Sequence, residues 1–337
     1  MKVDGTFMTT ELAAIPTIAA ELEAMGYDGA FTAEASHDPF FPLVLAAEHT
    51  ERLELLTGIA VAFARNPMTL AQVGYDLQAY SGGRFVLGLG SQIKPHITKR
   101  FSMPWSRPAA RMREMVLAMR AVWACWNDGA ELDFRGEFYR HTLMTPFFDP
   151  GPSEHGVPKV FLAAVGERMT EVAGEVCDGI ILHAFTTERY VREITLPALE
   201  RGWSRGARSR EQFELSCPVF AVTGTDDDEL DGSRRFTKQQ IAFYGSTPAY
   251  KGVLDLHGWG DLQPELNRLS KLGEWAQMGE LISDEVLTTF AVIGPPEDLP
   301  ALISARYGDV LDRVSLYAPP NTNDERWRGV VRALRAT

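Results

Sequence analysis

The chain reads as an α/β protein whose parallel strands are numerous enough to close as a (β/α)8 barrel. Three observations carry that expectation. Eight short apolar runs rich in β-branched residues occur at 3–7, 29–32, 53–61, 85–89, 160–164, 179–183, 215–223 and 314–317. Stretches of helical period separate them, as crossovers between parallel strands require. The length of 337 residues suits one such barrel, and the 45% hydrophobic content is ample for its core.

Each element has its own local signature. Between the third and fourth runs lies "NPMTLAQVGYDLQAYSGGR", in which Asn66 is a cap, Pro67 suits the first helical position, and Leu70, Val73, Leu77 and Tyr80 share a face. Gly82 or Gly83 ends that helix. After the fourth run Met112, Met115, Met119, Val122 and Trp126 recur at helical spacing, a core stripe rather than a functional surface. After the fifth run Met169, Val172, Ala173 and Val176 do the same. Two segments interrupt the rhythm of a single unit spanning 1–337. Residues 131–148 alternate apolar and polar side chains about Gly136 and predict a small hairpin. Residues 225–289 begin "TDDDELDGS" and predict a helical insertion or lid over the barrel mouth. The span 290–294 is a further strand candidate outside the eight.

Charge and cysteine usage exclude several function classes. A formal net charge of −12 argues against nucleic-acid or membrane-surface binding, so an anionic ligand must be small and locally bound. Cys125, Cys177 and Cys217 form no metal-binding spacing, which points to a reduced, cytoplasmic setting without a metal. Neither a signal-peptide apolar run nor a membrane-spanning run of about 18 apolar residues is present.

In such barrels the reactive groups stand at the carboxyl ends of the strands. After the second strand "TAEASHDPFFP" offers Glu34, His37 and Asp38. A neutral His37 can exchange a proton near neutral pH, and its plain alternative is a loop-tying histidine. Glu34 either points into the mouth or pairs with an arginine after the fourth strand. As metal ligands the three match no specific motif. Gly58, after the third strand, lets a flat ligand approach the backbone. His183, at the end of the sixth, reads as a packing residue. The stretch "LGLGSQIKPHITKRF" after the fourth strand lacks the third glycine and the later acid of a dinucleotide fingerprint, and no P-loop follows. Gly166 in "AAVGERM" instead opens a helix whose free amides favour a phosphate.

Several pieces in order resemble the luciferase-like flavin-dependent oxidoreductases, and most closely their coenzyme F420-dependent branch. They are "GYDGAFTAEASHDPF", "LELLTGIAVAFARNPMTLAQ", "SGGRFVLGLGSQIKPHITKRF", "RMREMVLAMRAVW", "FRGEFYRHT", "LAAVGERMTEVAGEVCDGIIL" and "FAVIGPPEDLPALI". The resemblance implies a luciferase-like TIM barrel, a homodimer, and a flavin ring lying on a bulge after strand three with a cis peptide between Gly58 and Ile59. It implies a phosphate seat near Ala164, Val165 and Gly166, ribityl and tail contacts from Ser91 and Gln92, and Gly90 among the cofactor-binding residues. Where many deazaflavin members carry an Asp-His pair, this chain has Glu34 and Ala35, so the acid or base falls to His37 or Glu34.

From Leu77 to Arg113 the sequence holds no Asp or Glu at all. That stretch contains Arg84, Lys94, Lys99, Arg100, Arg107, Arg111 and Arg113. It suits the long anionic tail of F420 better than the single phosphate of FMN. Lys94, His96 and Arg100 are the favoured contacts, with Arg111 and Arg113 read as helix-face residues. The expected activity is hydride transfer between F420 and a small carbonyl, alcohol or activated ring. The alternatives are an FMN monooxygenase fed by a partner reductase and a non-catalytic flavin-binding relative.

Overall fold

The computed structural model describes residues 1–7, 11–319 and 325–337. Its eight principal strands are β1 (Lys2–Thr6), β2 (Gly29–Thr32), β3 (Glu54–Thr57), β4 (Phe85–Gly90), β5 (Lys159–Ala163), β6 (Gly179–Ile181), β7 (Glu214–Val222) and β8 (Arg313–Tyr317). Each pairs in parallel with the next, and β8 pairs with β1, with Val3 opposite Val314, so the sheet closes. All eight coincide with the apolar runs of the sequence. The run at 53–61 is divided, however, because only Ala60–Val61 continues after β3, and it pairs with the end of β4. A further short strand, Ala291–Ile293, lies outside the circle and pairs with residues 220–222 of β7.

The helices start and stop where local chemistry directs. Helix α1 (Ile15–Met25) ends at Gly26, whose φ of 96° suits glycine alone. It is followed by α2 (Phe41–Glu48) and α3 (Pro67–Tyr80). In α3 the Asn66 side chain accepts the Thr69 amide at 3.0 Å. Its buried face is Leu70, Ala71, Gly74, Tyr75 and Leu77, whereas Tyr80 is exposed, because the stripe drifts by a fraction of a turn against the predicted face. The methionine stripe of α4 (Pro108–Asp128) is buried throughout, as is that of α5 (Glu167–Val176). Of the predicted hairpin only Phe134–Arg135 and Arg140–His141 pair as an antiparallel ladder. The span 225–289 is helical, beginning with Asp227–Gly245, whose Asp226 carboxylate caps the Glu229 amide. These helices share a core with Phe185, Phe220 and Phe290.

The barrel interior is stacked in three layers. At the amino end Arg313, fully buried, donates through Nε and Nη2 to the Asp4 carboxylate at 2.9 and 2.7 Å and through Nη1 to Glu54 and Glu214. Burial raises the Asp4 carboxyl against the pull of Arg313, while the surrounding carboxylates push the guanidinium well above its usual value. Above this ionic floor Phe31, Leu56, Val86, Phe161 and Ile181 form an apolar plug. The third layer, at the carboxyl end, holds the candidate site.

Candidate functional site

The site begins at the end of β2, where Glu34 is held on two sides. Its Oε2 accepts the Val61 amide at 2.7 Å and Arg65 Nη1 at 2.6 Å, and its own amide donates to Ile59 O. The arginine thus comes from the turn after β3, not from the segment after β4, because the turn folds back across its neighbouring strand. Arg65 Nη2 reaches Asp38 at 3.0 Å and its guanidinium lies 5.3 Å from the Phe40 ring centre. His37 is exposed in this loop. Among the described residues no cluster of three metal-ligating side chains occurs.

The next three strand ends are lined by small side chains. The Gly58–Ile59 peptide is cis, as the resemblance implies. A Cβ on Gly58 would meet the Phe31 ring at 2.9 Å, and one on Gly90 would meet the Ile59 side chain at 2.7 Å. A Cβ on Gly88 would run into the Thr57 carbonyl oxygen. The Thr57 hydroxyl is bound to Gly88, donating to its carbonyl at 2.7 Å and accepting from its amide at 2.9 Å. Beyond Gly90, Ser91 Oγ donates to Gln92 O, and Gln92 takes a φ of 56° with its side chain accepting the Ile93 amide.

The basic stretch divides sharply once its partners are known. Arg84 is consumed by the carbonyls of Ala47, Thr50, Leu53 and Ser81. Arg107 pairs with Glu137, and Arg113 pairs with Glu175 at 2.7 Å. Arg111 is not a helix-face residue. It is buried, its guanidinium lying 4.7 Å from the Phe63 ring centre and 5.7 Å from that of Tyr139, and it donates to Tyr139 Oη and Pro104 O. The sequence concealed this because Phe63 and Tyr139 lie far from Arg111 along the chain. Lys94, His96, Lys99 and Arg100 remain exposed on and beside one wide helical turn, His96–Arg100. Arg100 donates to Ala35 O, tying the loop after β4 to the loop after β2. Among the described residues no carboxylate pairs with Lys94, Lys99 or Arg100.

At the end of β5, Ala164 is buried and Val165 exposed. Gly166 caps α5 with a φ of 78° and no atom within 4 Å of where its Cβ would stand. The first amides of α5 have no partner within the helix, so they face outward as donors.

The opposite arc of the mouth is aromatic. His183, after β6, stacks on Tyr250 with ring centres 4.6 Å apart, and meets Tyr244 edge-on at 4.5 Å. Tyr244 Oη and Tyr317 Oη lie 3.1 Å apart, and Tyr317 donates to Gln240. His183 thus packs among aromatic rings, as the sequence predicts for it. Elsewhere Phe63 packs against Trp105, Phe40 is buried, Phe41 is exposed, and Trp259 stacks on His257.

A closed barrel with two such unlike arcs at its carboxyl end is an enzyme scaffold, and residues 2–313 match the luciferase-like monooxygenase family. The chain belongs to that family and is an oxidoreductase. An uncharacterized protein of Mycobacterium tuberculosis is 59% identical over 314 residues, covering 93% of this chain and 92% of its own. The 5,10-methylenetetrahydromethanopterin reductase of Archaeoglobus fulgidus is 26% identical, with 76% and 74% covered. Among solved structures, the coenzyme F420-dependent tetrahydromethanopterin reductase of Methanopyrus kandleri superposes with a TM-score of 0.81 at 19% identity, covering 99% of this chain and 98% of that one. Among the described residues no helix is long and apolar enough to cross a membrane.

Proposed function

We infer that this enzyme transfers a hydride between coenzyme F420 and a small organic carbonyl or alcohol. The observation that carries this reading is the group of Lys94, Lys99 and Arg100, exposed and without carboxylate partners in a chain of net charge −12. Three uncompensated cations favour a ligand with several negative charges over one with a single phosphate. The glycines at 58 and 90 leave the strand ends small enough to suit a flat ring, and the outward amides of α5 suit a phosphate. Both the archaeal reductase structure and the family assignment accord with it.

When bound, the deazaflavin supplies or accepts the hydride. The chain's own residues do the rest. Ser91 and Gln92 would contact the ribityl chain, and Ala164 to Gly166 would receive the phosphate. Glu34, with both Val61 and Arg65 on its carboxylate, fixes the turn carrying Gly58 and Ile59. His37 beside it is exposed and exchanges the proton that accompanies the hydride. A carbonyl so reduced gains one hydride at carbon and one proton at oxygen.

Titrating the protein with F420 and with FMN, followed by absorbance, tests the reading. Tight binding of F420 is expected. Tight binding of FMN with none of F420 would replace the reading with a monooxygenase using reduced flavin and oxygen. The phosphate seat alone would serve either cofactor.

A further inference from the structure

We propose that Arg111 is a positioning residue: braced by the inserted hairpin through Tyr139, it holds the segment between β4 and α4 in the form that presents Lys94, Lys99 and Arg100. The consequence for the cofactor rests on the F420 reading, whereas the brace itself does not.

The hairpin is fastened to the start of α4 by Arg107, Arg111 and Glu114, whose spacing of four and then three places them on one side of the helix. The Glu114 carboxylate accepts the amides of Glu137, Phe138 and Tyr139 at 2.9, 2.6 and 2.6 Å. Arg107 pairs with Glu137, and its guanidinium lies 5.0 Å from the Phe138 ring centre. Arg111 carries the connection onward. Its Nε donates to Tyr139 Oη at 2.8 Å and its Nη1 to Pro104 O at 2.6 Å. One residue back, the Met103 amide donates to Ile97 O at 3.0 Å, and Ile97 is the buried member of the basic turn His96–Arg100. A short path of hydrogen bonds and one peptide link thus joins the hairpin to the turn that carries Lys99 and Arg100.

Two observations set Arg111 apart from a residue that only packs. Its charge is uncompensated: it is 6% exposed, and among the described residues no carboxylate pairs with it. Tyr139 is no counter-charge either, because burial raises its hydroxyl above the usual value despite the pull of Arg111. For packing alone, an apolar side chain of similar size would serve as well or better. The segment it holds is also strained. Among the described residues four that are not glycine take a left-handed backbone, and three of them, Gln92, Ser102 and Arg107, lie between β4 and α4. Ser102 and Arg107 flank the carbonyl that Arg111 grips. Backbone of this kind persists where its surroundings impose it. Arg111 fixes it from the hairpin side, and Trp105, edge-on to Phe63 at 5.7 Å, fixes it from the turn after β3.

Trypsin reports the segment directly, since Lys99 and Arg100 are exposed and each is cleaved only when the local backbone opens. Arg111→Met keeps much of the side-chain volume and removes both donors, and Tyr139→Phe keeps the ring and removes the acceptor. In the cofactor-free full chain, both variants should be cut after Lys99 and Arg100 about tenfold faster than the wild type, with no acceleration at Arg268 and Lys271 in the helical insertion. Cofactor binding supplies a second readout. Arg111→Met should weaken F420 by about tenfold but F420 stripped of its glutamates by no more than about twofold, and Arg111→Lys, which can still donate to one of the two oxygens, should recover part of the loss. Unchanged cleavage in either variant, equal acceleration at Arg268 and Lys271, or equal weakening of the whole and the stripped cofactor would each overturn the proposal. Failure of the wild type to bind F420 would remove the cofactor reading instead, and the cleavage rates would still decide the brace.

Discussion

Glu34 Oε2 lies 2.6 Å from Arg65 Nη1 and 2.7 Å from the Val61 amide, so one carboxylate from the end of β2 organises the turn after β3. The Glu34 side chain is only 7% exposed and that of Arg65 20%. Removing the charge leaves a mostly buried guanidinium with only Asp38 for a carboxylate. Glu34→Gln should therefore lower stability by about 2 to 3 kcal/mol and weaken F420 binding about tenfold, read by thermal unfolding and by cofactor titration.

His37 should behave differently, since it is exposed and supports no neighbouring loop. His37→Ala is expected to leave unfolding and cofactor affinity unchanged and to reduce kcat by about a hundredfold. Full turnover in this variant would pass the acid/base role to another group, and full turnover in Glu34→Gln as well would remove both from it.

Gly88 is set by backbone rather than by ligand. A methyl there would collide with the Thr57 carbonyl oxygen and also approach Ile181 at 2.9 Å, and it would disturb both hydrogen bonds of the Thr57 hydroxyl. Backbone cannot rotate away as a side chain can. Gly88→Ala should cost about 3 kcal/mol or more in urea unfolding. Gly166→Ala meets no neighbour, so its cost comes only from the backbone conformation of φ 78° and ψ 153°, which is close to glycine-only, and should be about 1 to 3 kcal/mol.

The ionic floor predicts acid sensitivity. Burial opposes ionisation of Glu214, yet Lys159, Arg313 and Lys2 hold its carboxyl down at about 2, and Glu54 is likewise lowered beside Arg313 and Lys2. A carboxyl lowered in the folded state stabilises the protein above its unfolded value and loses that contribution as pH falls. For Glu214 the window runs from 4.5 down to about 2 and is worth at most about 3 kcal/mol. Urea midpoints should fall across that window, and Glu214→Gln should flatten the fall.

What the sequence made legible follows range of interaction. All eight strands, the Asn66 cap and the two buried methionine and valine stripes depend on neighbours a few residues away, and they were readable from periodicity and capping. The break after Thr57 was not, because a continuous apolar run looks the same whether or not it turns. Nor was the Arg313–Asp4 pair, which joins residues 309 apart. Arg111 was misplaced on an outer face because its stacking partners arrive from the turn after β3 and from the hairpin. The ring packing on His183 was hidden for the same reason: Tyr244 and Tyr250 come from the helical span 225–289. The cation group was visible as an acid-free stretch, but which of its members were free required their partners.

That sorting leads to the last expectation. With Arg84, Arg107, Arg111 and Arg113 engaged elsewhere, Lys94, Lys99 and Arg100 are the members left to meet an anion. A triple alanine variant should lower F420 affinity by about thirtyfold, with most of the loss already reproduced in the wild type by raising the salt. Arg100 also donates to Ala35 O, so its single variant should additionally loosen the loop after β2, whereas the lysine variants should not. Truncating the ligand separates the two effects: F420 stripped of its glutamates should bind wild type and the double lysine variant almost equally. If the stripped cofactor still distinguishes them, the lysines act on the phosphate or the ring rather than on the tail.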